Sequence, residues 1–223
     1  MAQYGVLLTT TAGEVWVTAN SSPISLQARK TAELQGTSGF NTKVTHTFPS
    51  GQPVAAFVHC TVEAEITQTI SGNTISVDFL RPNATGTAYV YFFSIFPQTK
   101  PDYGLAVWDA SGTLILTNET RTLSDVVTLG TAGVDASSGY NINTTLAGKW
   151  ACMPAMLGLI TGVISAGGQP QPYSAIYKSM AKLEGGNTRI FARPQTTPSG
   201  SLQNVAYSNL RNVIMAINCV NYD

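Results

Sequence analysis

The chain says nearly the same thing twice. Tyr4-Gly5-Val6-Leu7-Leu8-Thr9-Thr10-Thr11-Ala12-Gly13-Glu14-Val15-Trp16-Val17-Thr18 is echoed by Tyr103-Gly104-Leu105-Ala106-Val107-Trp108-Asp109-Ala110-Ser111-Gly112-Thr113-Leu114-Ile115-Leu116-Thr117. In each copy Tyr-Gly opens an apolar run, a second Gly follows eight residues after the first, and another apolar run ends in Thr. The pattern predicts a β-hairpin whose turn glycine supplies the φ > 0 position. Ser38-Gly39-Phe40-Asn41 then recurs as Ser138-Gly139-Tyr140-Asn141, and Gly72-Asn73-Thr74 as Gly186-Asn187-Thr188. The offset is 100 residues at the second landmark and 114 at the third, which predicts an insertion in the second copy between residues 150 and 185. A period this long exceeds any solenoid unit and matches one independent domain. The expectation is therefore two tandem modules, 1–98 and 102–223, the second with an insertion near 167–183. They are joined by Pro97-Gln98-Thr99-Lys100-Pro101, too short a joint to let them roam.

Within each module the periodicity is that of strands. Val44, His46 and Phe48 share one face, Val54 to Cys60 is an apolar strand, and Ile75, Val77 and Phe79 line the strand that returns after Ser71-Gly72-Asn73. Ala88 to Phe96 is the most apolar strand and is expected at the centre of a sheet, buried on both sides. Gln27 to Leu34 has helix-forming composition but is too short to stand alone, and reads as a connection or another strand. Short strands with turn signals every 8–12 residues predict an all-β chain of two antiparallel β-sandwiches, immunoglobulin- or fibronectin-like, related by duplication. Ala151 to Ala166 is apolar but interrupted by Pro154, Gly158 and Gly162, and is shorter than a membrane span. It reads as buried strand, followed by a loop over Gly167 to Pro172.

Charge is sparse: 11% of residues are charged, against about 25% in an average globular protein. Thr, Ser, Asn, Gly and Gln fill the polar positions instead, as in a subunit whose surface is hidden in an assembly or, alternatively, in any Thr-rich β protein. Formal net charge is zero, which implies neither a nucleic-acid partner nor an anionic membrane. Residues 102–148 hold five acids and one base and residues 149–223 six bases and two acids, a polarity compatible with contacts between subunits. The N-terminus has no basic n-region, so the expectation is synthesis in the cytoplasm without a signal peptide. Three cysteines without CxxC spacing suggest buried thiols rather than disulfides or zinc.

No catalytic constellation is legible, and the chain is expected not to be an enzyme and to need no cofactor or metal. His59 and Cys60 are adjacent, hence on opposite faces of a strand. Glu63 and Glu65 share a face, which is the arrangement of a glycosidase pair but more commonly that of a solvated strand. Gly185-Gly186-Asn187 is a hairpin turn rather than a phosphate loop. Phe40, Tyr140, Tyr173, Tyr177 and Tyr207 stand at loop ends, where aromatics either stack on sugars or cap a core. The inserted piece pairs Tyr173 and Tyr177 with Lys178 and Lys182, which makes these four the candidate partner contacts.

The Tyr103 to Thr117 pattern, with Gly51-Gln52-Pro53, Gly148-Lys149 and the two Gly-Asn-Thr turns, resembles a family of small β-module proteins encoded beside the tail-tip and receptor-binding genes of long-tailed bacteriophages. The first copy departs from it with Thr10-Thr11-Ala12-Gly13. The resemblance rests on turn chemistry and transfers no functional residue. It implies a virion structural protein of the tail tip, baseplate or tail fibre, with other tail proteins as partners and a host glycan or outer-membrane receptor as a further one. Duplication suggests a homo-oligomer, with a trimer offering six module positions favoured. The alternatives are a carbohydrate-binding adhesin module and a capsid decoration protein.

Overall fold

A computed structural model describes residues 8–9, 15–17, 22–37, 39–166, 169–196 and 200–223. Among them, all regular structure is strand apart from three short 3-10 turns. The N-terminal hairpin is described only as β1 (Leu8–Thr9) paired antiparallel with β2 (Val15–Val17); Gly5 and Gly13 lie outside the described residues. The rest of the first half is β3 (Ser25–Leu34), β4 (Asn41–Thr47), β5 (Val54–Cys60), β6 (Glu65–Ser71), β7 (Thr74–Leu80) and β8 (Gly86–Ser94). The second half opens on the hairpin β9 (Ala106–Trp108) and β10 (Leu114–Thr117), followed by β11 (Val127–Leu129), β12 (Asn143–Ala147) and β13 (Trp150–Cys152). It closes with β14 (Met156–Ala166), β15 (Gln169–Glu184), β16 (Asn187–Pro194), β17 (Leu202–Asn209) and β18 (Ile214–Asn218).

The second hairpin shows why its turn residues are what they are. Gly112 has φ +83°, a conformation that costs a residue with a Cβ. Asp109 accepts from the Ser111 N–H at 2.9 Å, the Ser111 hydroxyl at 2.7 Å and the Thr113 N–H at 2.8 Å, and these bonds hold its carboxyl below the usual range. An acceptor-rich side chain thus closes the loop that the glycine lets turn.

Strand order is set by pairing between distant segments. In the first, β8 lies between β3 and β5, and a three-stranded sheet runs β4-β7-β6. In the second, β18 lies between β11 and β13, and β16 lies between β12 and β15. The halves share one sheet, because β5 bridges antiparallel to β13 at Val58–Cys152 and parallel to β15 at Cys60–Lys182. That sheet has eleven strands, and its far side continues from β15 to β14 and on to β17.

Alternation along β5 and β8 decides the cores. Ala56, Val58 and Cys60 with Ala88, Val90 and Phe92 face β4-β7-β6, where Val44, Phe48, Ile66, Ile75, Val77 and Phe79 complete a core. Phe57, Tyr91 and Phe93 face the other way and pack with Ala151, Ile217, Cys219 and Tyr222. A third core lies within the second half around Leu157, Ala181, Ile190 and Ile214. The central strands are therefore apolar on both faces because both faces are covered, as their sequence predicts. Gln27 to Leu34 is strand, within β3. Met180 and Phe191 from the second half fill the first core.

Three local expectations change. Glu65 is not on a solvated face but 5% exposed, because β15 and the chain after β16 cover it. The apolar run 151–166 is not one strand: it ends β13, turns, and becomes β14. Gln169 to Pro172 is not loop but the start of β15, paired with β14 from Ala166–Gln169 to Val163–Pro172. Ile176 O accepts from Gln195 N–H on the side away from β14, and alternation points the nitrogens of Pro170 and Pro172 to that same side. The missing donors therefore cost the β14 ladder nothing.

Candidate interaction surface

The four candidate contact residues all stand on β15 but separate onto its two faces. Lys178 donates to Thr67 Oγ1 at 2.7 Å, and burial holds its pKa below the ordinary lysine value against the raising influence of Glu65. Lys182 lies 3.0 Å from Glu184 and 3.4 Å from Glu63; its pKa is raised, chiefly by the bond to Glu184. Both ammonium groups, flanking the core residue Met180, are thus engaged with the first half or with their own strand.

Tyr173 and Tyr177 point the other way. The Tyr173 hydroxyl donates to Thr196 O at 2.5 Å, tying β15 to the chain beyond β16. Tyr177 stacks on Tyr140 with centroids 5.6 Å apart, and Tyr140 meets Tyr207 at 5.8 Å. Burial, with the phenols of Tyr207, Tyr173 and Tyr140 close by, raises the Tyr177 pKa. Four of the five loop-end aromatics marked in the sequence therefore gather at one place, whereas Phe40 packs against the first core. Gly158 makes this approach possible: a Cβ there would stand 2.6 Å from the Tyr140 ring and 2.8 Å from Ser208 O.

Tyr173, Tyr177 and Tyr207 lie on a three-stranded arm, β15-β14-β17, and Tyr140 packs against it from the 3-10 turn Gly139–Asn141. No residue between Lys149 and Lys178 is charged, nor any between Arg193 and Arg211. Its last strand, β17, pairs only with β14 among the described residues, and Gln203 to Ser208 are all exposed. Val205 is 42% and Tyr207 55% exposed. The arm thus ends in an unpaired row of backbone donors and acceptors carrying no charge and no proline, the usual guards against strand addition.

A second surface lies at the start of the β9-β10 hairpin. Lys100, Asp102, Tyr103, Leu105 and Trp108 border an open groove of about 350 Å³. Tyr103, Leu105 and Trp108 are all exposed there.

The remaining polar clusters are intramolecular. Glu63 lies 3.4 Å from both Lys182 and Arg193, and Glu65 bonds to Arg81 and, at 2.5 Å, to Gln195. The cavity beside Glu65, between Ala64, Met180 and Arg193, is about 10 Å³, room for one water at most. Asp223 meets Lys149 at 2.8 Å, Arg29 at 3.0 Å and the Tyr91 hydroxyl at 2.6 Å. Burial opposes its charge, but the bonds from Lys149 and Tyr91 outweigh this and hold the carboxyl below its ordinary range.

His59 is fully buried, and its Nδ1 lies 2.8 Å from Trp150 O. A carbonyl only accepts, so Nδ1 carries the proton. Burial lowers the His59 pKa to about 4, overcoming the raising effect of that bond. Cys60, Cys152 and Cys219 are buried free thiols, and burial pushes the last two up to about 12 and about 11.

No group of three or more His, Cys, Asp or Glu that could hold a metal ion occurs among the described residues. No helix among them is long and apolar enough to cross a membrane. Compared with family models, curated proteins and solved structures, the chain matches none.

Proposed function

We propose that this protein is a non-catalytic structural subunit of a bacteriophage tail, placed in the tail-tip, baseplate or fibre region and assembled through the β17 edge of its β15-β14-β17 arm. The observation that carries the assembly reading is the β17 strand: an edge unpaired among the described residues, with Gln203 to Ser208 exposed and no charge to repel a partner strand. The assignment to a tail rests on the resemblance carried by Tyr103 to Thr117 and the Gly-Asn-Thr turns. The protein is made in the host cytoplasm and resides in the virion, with other tail proteins and further copies of itself as partners.

The module underlying it is duplicated. The order β3-β8-β5 recurs as β11-β18-β13 and β4-β7-β6 as β12-β16-β15, which supports descent of both halves from one sandwich. On that correspondence the extra material of the second half is β14, the first part of β15, and β17. The arm is therefore what distinguishes one module from the other, and insertions at a surface are where new contacts are most readily added. The groove at Tyr103 and Trp108 favours a second reading, in which the hairpin end stacks on host sugars and the subunit also serves attachment.

Quantitative mass spectrometry of purified phage particles tests the proposal. The expected result is a fixed small number of copies per particle, lost together with infectivity when the gene is removed. Infectious particles lacking the protein would contradict it.

A further inference from the structure

We infer that β17 is completed by β17 of a second copy, antiparallel about a two-fold axis through Tyr207. The inference rests on the arm being an assembly surface and names its occupant.

The backbone sets the register. Leu210 N–H bonds Leu157 O on the β14 side at 3.2 Å. By alternation Ser208 and Ala206 also bond inward, and Val205, Tyr207 and Asn209 present N–H and C=O outward. Asn204, at φ +50°, interrupts this pattern: Thr161 pairs Ala206 but Val163 pairs Gln203, so the strand bulges between them. The regular free edge is thus 205–209, and its midpoint is Tyr207. Rotating a second copy about that midpoint sets Tyr207 opposite Tyr207, Val205 opposite Asn209 and Ala206 opposite Ser208, with every outward donor meeting an outward acceptor.

The side chains agree with this choice. A self-paired edge sets Tyr207 against its own copy and brings the rest of each strand close to the other, which a strand charged with one sign would resist and this uncharged one does not. Tyr207 already ends the row that runs from Tyr177 through Tyr140. The two-fold joins that row to its copy and covers the most exposed of its rings. A single free edge is used up by one such pairing, so this contact yields a dimer rather than the threefold ring that duplication alone suggests.

Sedimentation velocity and disulfide trapping test the inference. At micromolar concentration the 23.6 kDa chain is expected to sediment at twice its mass. Tyr207→Lys, which opposes two ammonium groups at the axis, is expected to return it to the monomer mass. In a chain carrying both Ala206→Cys and Ser208→Cys, each new thiol faces its counterpart across a non-hydrogen-bonded pair, about 4.5 Å between Cα atoms and within disulfide reach. Mild oxidation should give a covalent dimer, and the native cysteines, all buried, supply no background. A monomeric wild type, an oligomer indifferent to Tyr207→Lys, or failure of the paired cysteines to cross-link would each overturn the inference. None of these outcomes touches the virion assignment, whereas absence from particles would remove that assignment and leave the dimer standing.

Discussion

His59 shows how a residue can be readable in its role and unreadable in its partner. Its place beside Cys60 on an apolar strand argues against catalysis, but nothing in the sequence says that its ring reaches the Trp150 carbonyl, 91 residues away. The linkage sign is fixed by the direction of its shift. Folded, His59 titrates at about 4, and unfolded near the ordinary 6.5. Above pH 6.5 both states are neutral and the fold keeps its full advantage; as pH falls toward 4 only the unfolded chain gains the proton. Stability should therefore drop by about 3 kcal/mol across that window. His46, lowered by burial and by Lys30, adds to the same slope, whereas the depressed Asp223 carboxyl acts at lower pH. Urea unfolding between pH 7.5 and 4.5 should show the loss, and His59→Gln should flatten most of it; an unaltered profile would contradict the assignment. The burial of Glu65 is hidden from the sequence for a related reason. Its alternation with Ile66 puts it on a polar face, and only tertiary structure brings Arg81 and Gln195 to it and closes that face from water.

At the scale of elements, turns and period-two strands were legible and the arm was not. Gly112 and Asp109 are short-range signals, and the Ile75, Val77, Phe79 alternation states its own register. By contrast, Pro170 and Pro172 read as loop because a proline cannot donate to a ladder, and the sequence does not reveal that both nitrogens face away from β14. Gly158 likewise reads as an interruption of an apolar run, although its lack of a Cβ is what lets Tyr140 lie against β14. Gly158→Ala should therefore push the Tyr140 ring or the β17 backbone aside and cost roughly 1–3 kcal/mol, as overpacking does. Thermal unfolding measures this. A stability gain, the usual result of replacing a strand glycine where space is open, would contradict the packing described.

At the scale of the whole molecule, the repeated landmarks predict a repeated plan, and the protein is all-β as that plan requires. The sequence did not show how far the halves interpenetrate. Five residues of linker suggested neighbouring modules, whereas β5 pairs directly with β13 and β15, and Met180 enters the first core. Such contacts join residues more than 90 positions apart, and no local pattern encodes them. They leave β17 as one edge of the shared sheet that is unpaired among the described residues, so the account of what the protein does turns on what covers that edge. A cryo-electron-microscopy reconstruction of the phage tail measures this most directly. The account predicts density for this chain at the tail tip, baseplate or fibre, with β17 continued by a strand from a neighbouring subunit; density that leaves β17 open to solvent, or none for this chain in the tail, would contradict it.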